Sequence, residues 1–240
     1  MSRRYLVTGG TSGIGAAVAS HLTAAGHDVL VTGTSEASVG AALAAGTAGL
    51  GAVADVTDAA AVAAAFDAAV AGFGGLDGVF ANAGIDGEGR PAHDLDPERF
   101  RRVLEANTVG ALIVAQAAYR TLARPGVLVI NASVNAVRPE AHFADYNASK
   151  AAALALAKSL ALEWSAEGLS VIGLLPGYFP SKMTNEWLTD PATSRELLGL
   201  IPAGRFGRLE EIGALLEFLL GPQAPFLTGA AITVDGGRNI

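Results

Sequence analysis

Three side chains in the second half of the chain have types and spacing suited to proton chemistry: Ser133, Tyr146 and Lys150. Tyr146 and Lys150 stand four residues apart in an Ala-rich stretch that reads as helix, and that spacing puts both side chains on one face. Ser133 follows the apolar run Val127–Asn131, which reads as a strand. It therefore stands at the strand's carboxyl end, where an open parallel sheet places its ligand crevice. A phenol, with an ordinary pKa of about 10, is a poor base near neutral pH. A nearby ammonium favours the phenolate, and a fall of about two pKa units corresponds to about 2.7 kcal/mol. A hydroxyl beside the pair can polarise a substrate oxygen. The three groups together suit the movement of a proton on or off an oxygen. Taken alone, a Tyr and a Lys at this spacing are usually a surface pair with the ammonium over the ring. Asn107, in the helix before the Ser133 strand, fits either a satisfied buried amide or a group that fixes a water near Lys150.

Where the oxygen belongs to a carbonyl being reduced, a hydride must accompany that proton, and the start of the chain offers a place for its carrier. Thr8 to Gly15 (TGGTSGIG) lies between a first apolar run and a helical stretch, with Gly9, Gly13 and Gly15 spaced G-x-x-x-G-x-G. A dinucleotide pyrophosphate needs unblocked backbone N–H groups and the positive end of a helix. Gly9 suits a tight turn, Gly13 a close approach to the phosphate, and Gly15 close packing of helix on strand. Thr11 and Ser12 add hydroxyls. A glycine loop alone is a weak signal; its place in the first strand–helix unit strengthens it.

The elements that must position these groups follow from the hydrophobic pattern. Tyr5–Thr8, Asp28–Thr32, Leu50–Ala54, Leu76–Ala81, Val127–Asn131, Leu169–Leu175 and Ala231–Val234 read as strands, nearly continuous in hydrophobicity, as strands covered on both faces are. Helical stretches lie between them, from Gly13 to Gly26, Glu36 to Ala45, Asp58 to Ala71, Pro97 to Ala123, His142 to Ala166 and Glu210 to Leu220. Thr57 suits the N-cap of the third and Asp96-Pro97 the start of the fourth. This alternation predicts a single α/β domain over residues 1–240, a doubly wound parallel sheet with helices on both faces. Gly177 to Gly207 breaks the rhythm with prolines and mixed polar and aromatic residues, and is predicted to be an irregular lid over the site. Tyr178, Met183 and Trp187 within it are candidates either to line a substrate pocket or to anchor the lid as apolar groups.

Composition narrows the function classes. The formal net charge of −7 opposes a polyanionic partner, so nucleic-acid binding is not expected. With no cysteine in the chain, disulfides, zinc–thiolate centres and thiol nucleophiles are excluded. His21, His27, His93 and His142 show no metal-ligand spacing and read as surface or loop residues, with no metal expected. Asp86, Glu88 and Arg90 read as solvated loop charges. The N-terminus lacks the apolar core of a signal peptide, and no apolar run spans a bilayer. The expectation is a cytoplasmic enzyme with a small-molecule substrate and no membrane partner.

The motifs in this order resemble the short-chain dehydrogenase/reductase family, over essentially the whole chain. Thr8–Gly15, with Ile14 inside it, is similar to the family's cofactor loop. Asp55-Val56 stand where the family contacts the adenine, and Asn82-Ala83-Gly84 match the segment after its fourth strand. Asn107, Ser133, Tyr146 and Lys150 match its catalytic Asn, Ser, Tyr and Lys. Pro176-Gly177 match its P-G, with Phe179 and Ser181 following, Ser181 where a Thr or Ser binds the nicotinamide carboxamide. Asp235-Gly236-Gly237 match its usual ending. The resemblance implies seven strands in the order 3-2-1-4-5-6-7, and hydride transfer at the nicotinamide C4 to or from a ketone or secondary alcohol. Tyr146 would be the general acid/base, with Ser133, Tyr146, Tyr178 and Trp187 at the substrate.

The chain departs from the family pattern where the cofactor ribose is read. Gly33 stands at the usual Asp position and Thr34, followed by Ser35, at the usual Arg position, while Ser12 occupies the loop position that often carries a cation. The missing carboxylate and the hydroxyls tilt the expectation toward NADP(H) over NAD(H), with Glu36 pulling the other way. The stretch AAALALAKSLALEW is apolar almost all round, which with the resemblance predicts a homo-oligomer, a tetramer or a dimer. An epimerase or dehydratase holding NAD tightly, or a cofactor-binding regulator, are the other readings. The first usually carries an extra C-terminal substrate domain, and the second commonly lacks the Tyr or the Lys.

Overall fold

The computed structural model describes residues 2–181 and 184–240. Seven strands form one parallel sheet: β1 (Arg4–Val7), β2 (Asp28–Gly33), β3 (Leu50–Val53), β4 (Leu76–Ala81), β5 (Leu122–Asn131), β6 (Leu169–Pro176) and β7 (Ala231–Val234). Their order across the sheet is β3-β2-β1-β4-β5-β6-β7, as expected from the family resemblance. The order reverses between β1 and β4, the switch point at which a doubly wound sheet opens a crevice beyond its carboxyl ends.

Helices cover both faces because successive strand residues point to opposite sides. Leu6, Leu30, Leu128, Ile130 and Val171 join one apolar layer with Val62 and Phe66 of α3 (Ala59–Phe73), Val114 and Ala118 of α5 (Gly110–Thr121), and Ala157 and Leu160 of α6 (Ala144–Trp164). Tyr5, Val7, Val29, Val31, Val129 and Ile172 join the other layer with Val18 and Leu22 of α1 (Gly13–Ala24), Ala42 of α2 (Glu36–Ala44), and Ile212 and Leu216 of α9 (Leu209–Leu220).

Local details differ from the sequence pattern. Asp58, not Thr57, is the N-cap of α3: its Oδ1 accepts from the N–H of Ala60 at 2.9 Å and of Ala61 at 3.1 Å. Thr57 turns instead to Asp55 Oδ1, to which its N–H and hydroxyl both donate. The long helix expected from Pro97 to Ala123 is α4 (Pro97–Leu104), a π-helical turn at Glu105–Val109, and α5. β5 begins at Leu122 rather than Val127, with a register shift against β4 between Leu76 and Gly78. The irregular stretch 177–207 contains two short helices, α7 (Asn185–Thr189) and α8 (Pro191–Gly199), the latter capped by Asp190. His21 and His27 are not loose surface groups, since both meet Glu217 of α9, at 2.7 and 3.6 Å. Met183 lies outside the described residues.

Candidate active site

The carboxyl end of β1 runs into the glycine loop and then α1. Gly9 and Gly13 have φ of +63° and +55°, a left-handed backbone that disfavours any side chain. A Cβ on Gly15 would stand 2.4 Å from the Gly9 carbonyl oxygen, so Gly15 lets the helix close on the loop, not on a strand as the spacing suggested. The close packing on strands is done by Gly10, whose Cβ would meet Val31 Cγ1 at 2.5 Å. Ser12 is the N-cap of α1 but makes no side-chain capping bond, leaving the first-turn N–H groups to an incoming anion.

Asn82 ties this loop to the end of β4. Its Nδ2 donates to the Thr8 carbonyl at 2.9 Å, while Thr8 Oγ1 accepts from the N–H groups of Asn82 and Ala83. The result is a cleft of about 590 Å³. Gly9, Thr11 and Ser12 line it at β1, Thr34 at β2, Asp55 and Val56 at β3, and Asn82-Ala83-Gly84 at β4. Arg102 and Glu105 close its far side, two residues that no motif marks. The shape fits a dinucleotide: two left-handed glycines and a free helix N-terminus suit a pyrophosphate, and the flanking strand ends offer polar groups to nucleoside moieties. At Gly33 a Cβ would meet Thr11 Cγ2 at 2.7 Å and Ser38 Oγ at 2.9 Å. The Ser35 hydroxyl caps α2 by accepting from the Ser38 N–H.

Ser133, Tyr146 and Lys150 come together on the other side of Gly84. Lys150 is buried and donates to the Asn131 carbonyl at 2.9 Å, and its Nζ lies 5.6 Å from the centre of the Tyr146 ring. Gly84 makes room for it, since a Cβ there would stand 3.4 Å from Lys150 Nζ and 2.7 Å from Asn107 Oδ1. Asn107, in the π-helical turn, is fully engaged. Its Oδ1 accepts from the Ile85 N–H, and its Nδ2 donates to the Ile85 carbonyl and to Ser149 Oγ. Its side chain thus braces the loop after β4.

Burial sets the charge states. Desolvation pushes the Tyr146 phenol well above its ordinary range, opposed by a hydrogen bond with Ser133. Desolvation also lowers Lys150 to about 8. The phenol depression expected from Lys150 is absent: burial dominates the Tyr146 hydroxyl, and Lys150 Nζ donates to the Asn131 carbonyl, 5.6 Å from the ring centre.

A second pocket opens on the Tyr146 ring. Ser133, Tyr146, Tyr178 and Trp187 all line it, together with Glu140 and Asp86. The Phe143 and Trp187 rings meet edge to face at 5.5 Å. Tyr178 is fixed by its hydroxyl to Glu140 and by the Arg238 guanidinium over its ring. Pro176 and Gly177 form the pocket's base, and Ser181 packs against Gly13, where a glycine Cβ would come within 3.1 Å of its own Cβ. The Phe179 ring is buried in the sheet's apolar layer under Gly207, and the Ile14 side chain packs against that same layer. Asp86 is not a solvated loop charge but a wall of the pocket. Among the described residues no cluster of His, Asp and Glu could hold a metal ion.

The family model described as enoyl-(acyl carrier protein) reductase matches residues 9–239. The 3β-hydroxysteroid dehydrogenase 1 of Eggerthella lenta is 35% identical over 246 residues, covering 99% of this chain and 94% of that protein. Among solved structures, a short-chain dehydrogenase from Burkholderia cenocepacia in complex with NADP superposes with a TM-score of 0.89 at 32% identity, over 99% of this chain and 98% of the other. A 3-ketoacyl-(acyl-carrier-protein) reductase from Brucella melitensis complexed with NADH gives 0.91 at 28% identity, over 99% and 98%. The chain belongs to the short-chain dehydrogenase/reductase family, and it is an NAD(P)-dependent oxidoreductase.

Proposed function

We propose that this enzyme interconverts a ketone and a secondary alcohol, with Tyr146 as the proton donor and acceptor. One observation carries the reading: Tyr146 and Ser133 line the aromatic pocket together, while buried Lys150, on the same helical face and 5.6 Å from the Tyr146 ring, reaches Gly84 of the dinucleotide cleft. When bound, the cofactor supplies or takes the hydride at its nicotinamide C4. In reduction, the substrate oxygen accepts hydrogen bonds from Ser133 and Tyr146, and Tyr146 gives up its proton as negative charge develops on that oxygen. Burial keeps the phenol protonated and ready for that step. In oxidation, the phenolate needs a cation beside it, and Lys150 is the nearest. Asn107 holds the loop that brings Gly84 against Lys150.

NADP(H) is the favoured cofactor over NAD(H). No carboxylate occupies position 33, and Thr11 and Ser38 crowd the space one would need, with Thr34 next in the chain. The 177–207 segment acts as the lid, and the enzyme works in the cytoplasm as a homo-oligomer through the exposed face of α6. Rates measured separately with the two cofactors test the preference, and a strong bias to NAD would overturn it. Net change at the reduced-nicotinamide absorbance band with a panel of ketones and alcohols tests the reaction. An epimerase, a dehydratase or a regulator would leave that band unchanged.

A further inference from the structure

Among the described residues, Asp86 and Glu140 line the aromatic pocket and Asp145 lies behind Gly87, and the last two of these carboxylates are already committed. Glu140 pairs with buried Arg238 at 2.7 Å and accepts from the Tyr178 hydroxyl and the Asn135 amide. Asp145 is buried behind Gly87, and its two oxygens take the N–H groups of Tyr146 at 2.8 Å and Glu88 at 2.9 Å. Asp86 differs. Its Oδ1 accepts only from the N–H of its neighbour Gly87, and no ion pair joins it to a cation among the described residues. Arg99 reaches its backbone carbonyl, at 2.8 Å, instead of its carboxylate. Burial, opposed by the Gly87 N–H and the Arg99 charge and reinforced by Asp145 and Glu140, raises the Asp86 carboxyl to about 6.

Around this carboxylate stand the Phe143, Trp187 and Tyr178 rings. A carboxylate with aromatic rings nearby combines the two interactions that stabilise a desolvated ammonium, a charge-assisted hydrogen bond and cation–π attraction. An anionic substituent would instead meet the carboxylates of Asp86 and Glu140, which both line the pocket. We propose that Asp86 determines specificity, and that the preferred substrate is a ketone or secondary alcohol carrying a protonated amine. Its ammonium pairs with Asp86 while its reacting oxygen meets Tyr146 and Ser133. The inference rests on the assignment of Tyr146 as the reacting group.

The test uses cyclohexanones that bear an ammonium, a hydroxyl or a carboxylate on the far ring carbon, assayed with the wild-type enzyme and Asp86→Asn near neutral pH. The expected kcat/KM of the wild type is at least about tenfold higher for the ammonium ketone than for the hydroxyl ketone, and lowest for the carboxylate, from the usual strength of a charged hydrogen bond. Asp86→Asn keeps the acceptor for the Gly87 N–H, and it should bring the kcat/KM values of the ammonium and hydroxyl ketones within about twofold of each other. No ammonium preference in the wild type, or its survival in Asp86→Asn, overturns the proposal. A second measurement needs no turnover: calorimetric titration with cyclohexylammonium, cyclohexanol and cyclohexanecarboxylate. Cyclohexylammonium should bind the wild type at least about tenfold more tightly than the variant, and equal binding to both counts against Asp86. If cyclohexylammonium binds this way but no ketone turns over, the Tyr146 assignment fails and the Asp86 one stands. Turnover without charge preference leaves Tyr146 as the reacting group and removes Asp86 from specificity.

Discussion

Tyr146 is held neutral by the pocket that surrounds it, so its hydroxyl is the group whose removal should matter most. Tyr146→Phe is expected to lower kcat by about 10³-fold, within the range general acid–base groups supply, while cofactor affinity from calorimetry stays nearly unchanged. Turnover at the wild-type rate would remove Tyr146 from the assignment. Lys150→Ala should also lose most of the rate and, unlike Tyr146→Phe, weaken cofactor binding, because the ammonium sits against Gly84 at the cleft wall. Asp86 gives a pH signature. Its carboxyl titrates near 3.8 when unfolded and about 6 when folded, so folding favours the protonated form. The stability it contributes is fully present below about pH 4 and is lost as pH rises through 6. Melting curves of wild type and Asp86→Asn should therefore diverge from pH 4 to 7 in favour of the variant, and parallel curves would count against the shift.

At the scale of elements, the site depends on turns that tolerate no added carbon. Gly15→Ala would drive a Cβ to 2.4 Å from the Gly9 carbonyl and 2.5 Å from Asn82 Nδ2, both parts of the cofactor cleft. Its cofactor affinity should fall at least about tenfold and its melting temperature should drop, while Gly40→Ala on the open face of α2 should be neutral or slightly stabilising. Fluorescence titration with the reduced cofactor measures the first and a thermal scan the second. The π-helical turn at Glu105–Val109 carries Asn107 to Ile85 of the loop after β4. Asn107→Ala leaves the Ile85 N–H and carbonyl without their partner, at a cost of about 1–3 kcal/mol read as a lower midpoint in urea.

For the whole molecule, one apolar group left open is on the outward face of α6, alongside others such as Phe226 and Ile240. Leu162 is 88% exposed on an otherwise Ala-rich helix whose opposite side, with Leu160 and Ala161, is buried in the core. A chain that leaves such a face open in isolation gains by covering it with another copy. Light scattering at micromolar concentration should give a dimer or tetramer, and Leu162→Glu should shift the population toward monomer if that face is the contact. A pure wild-type monomer would defeat the expectation.

The strand and helix periods, the glycine loop and the Tyr–Lys spacing were legible in the chain because each is local: hydrophobic period reports which faces are covered, and i, i+4 spacing reports a shared helical face. The family resemblance supplied the strand order. Long-range geometry decided the rest. Asp58 took the cap from Thr57 because its carboxylate reaches two N–H groups while Thr57 is drawn to Asp55. Phe179 turned into the core because the sheet's apolar layer lies beneath it. Asp86 became a pocket wall because the loop after β4 folds against α6, which no pattern of neighbours along the chain encodes. Local spacing determines which side chains share a face. Only the closed tertiary structure determines which charges lose their water and their partners.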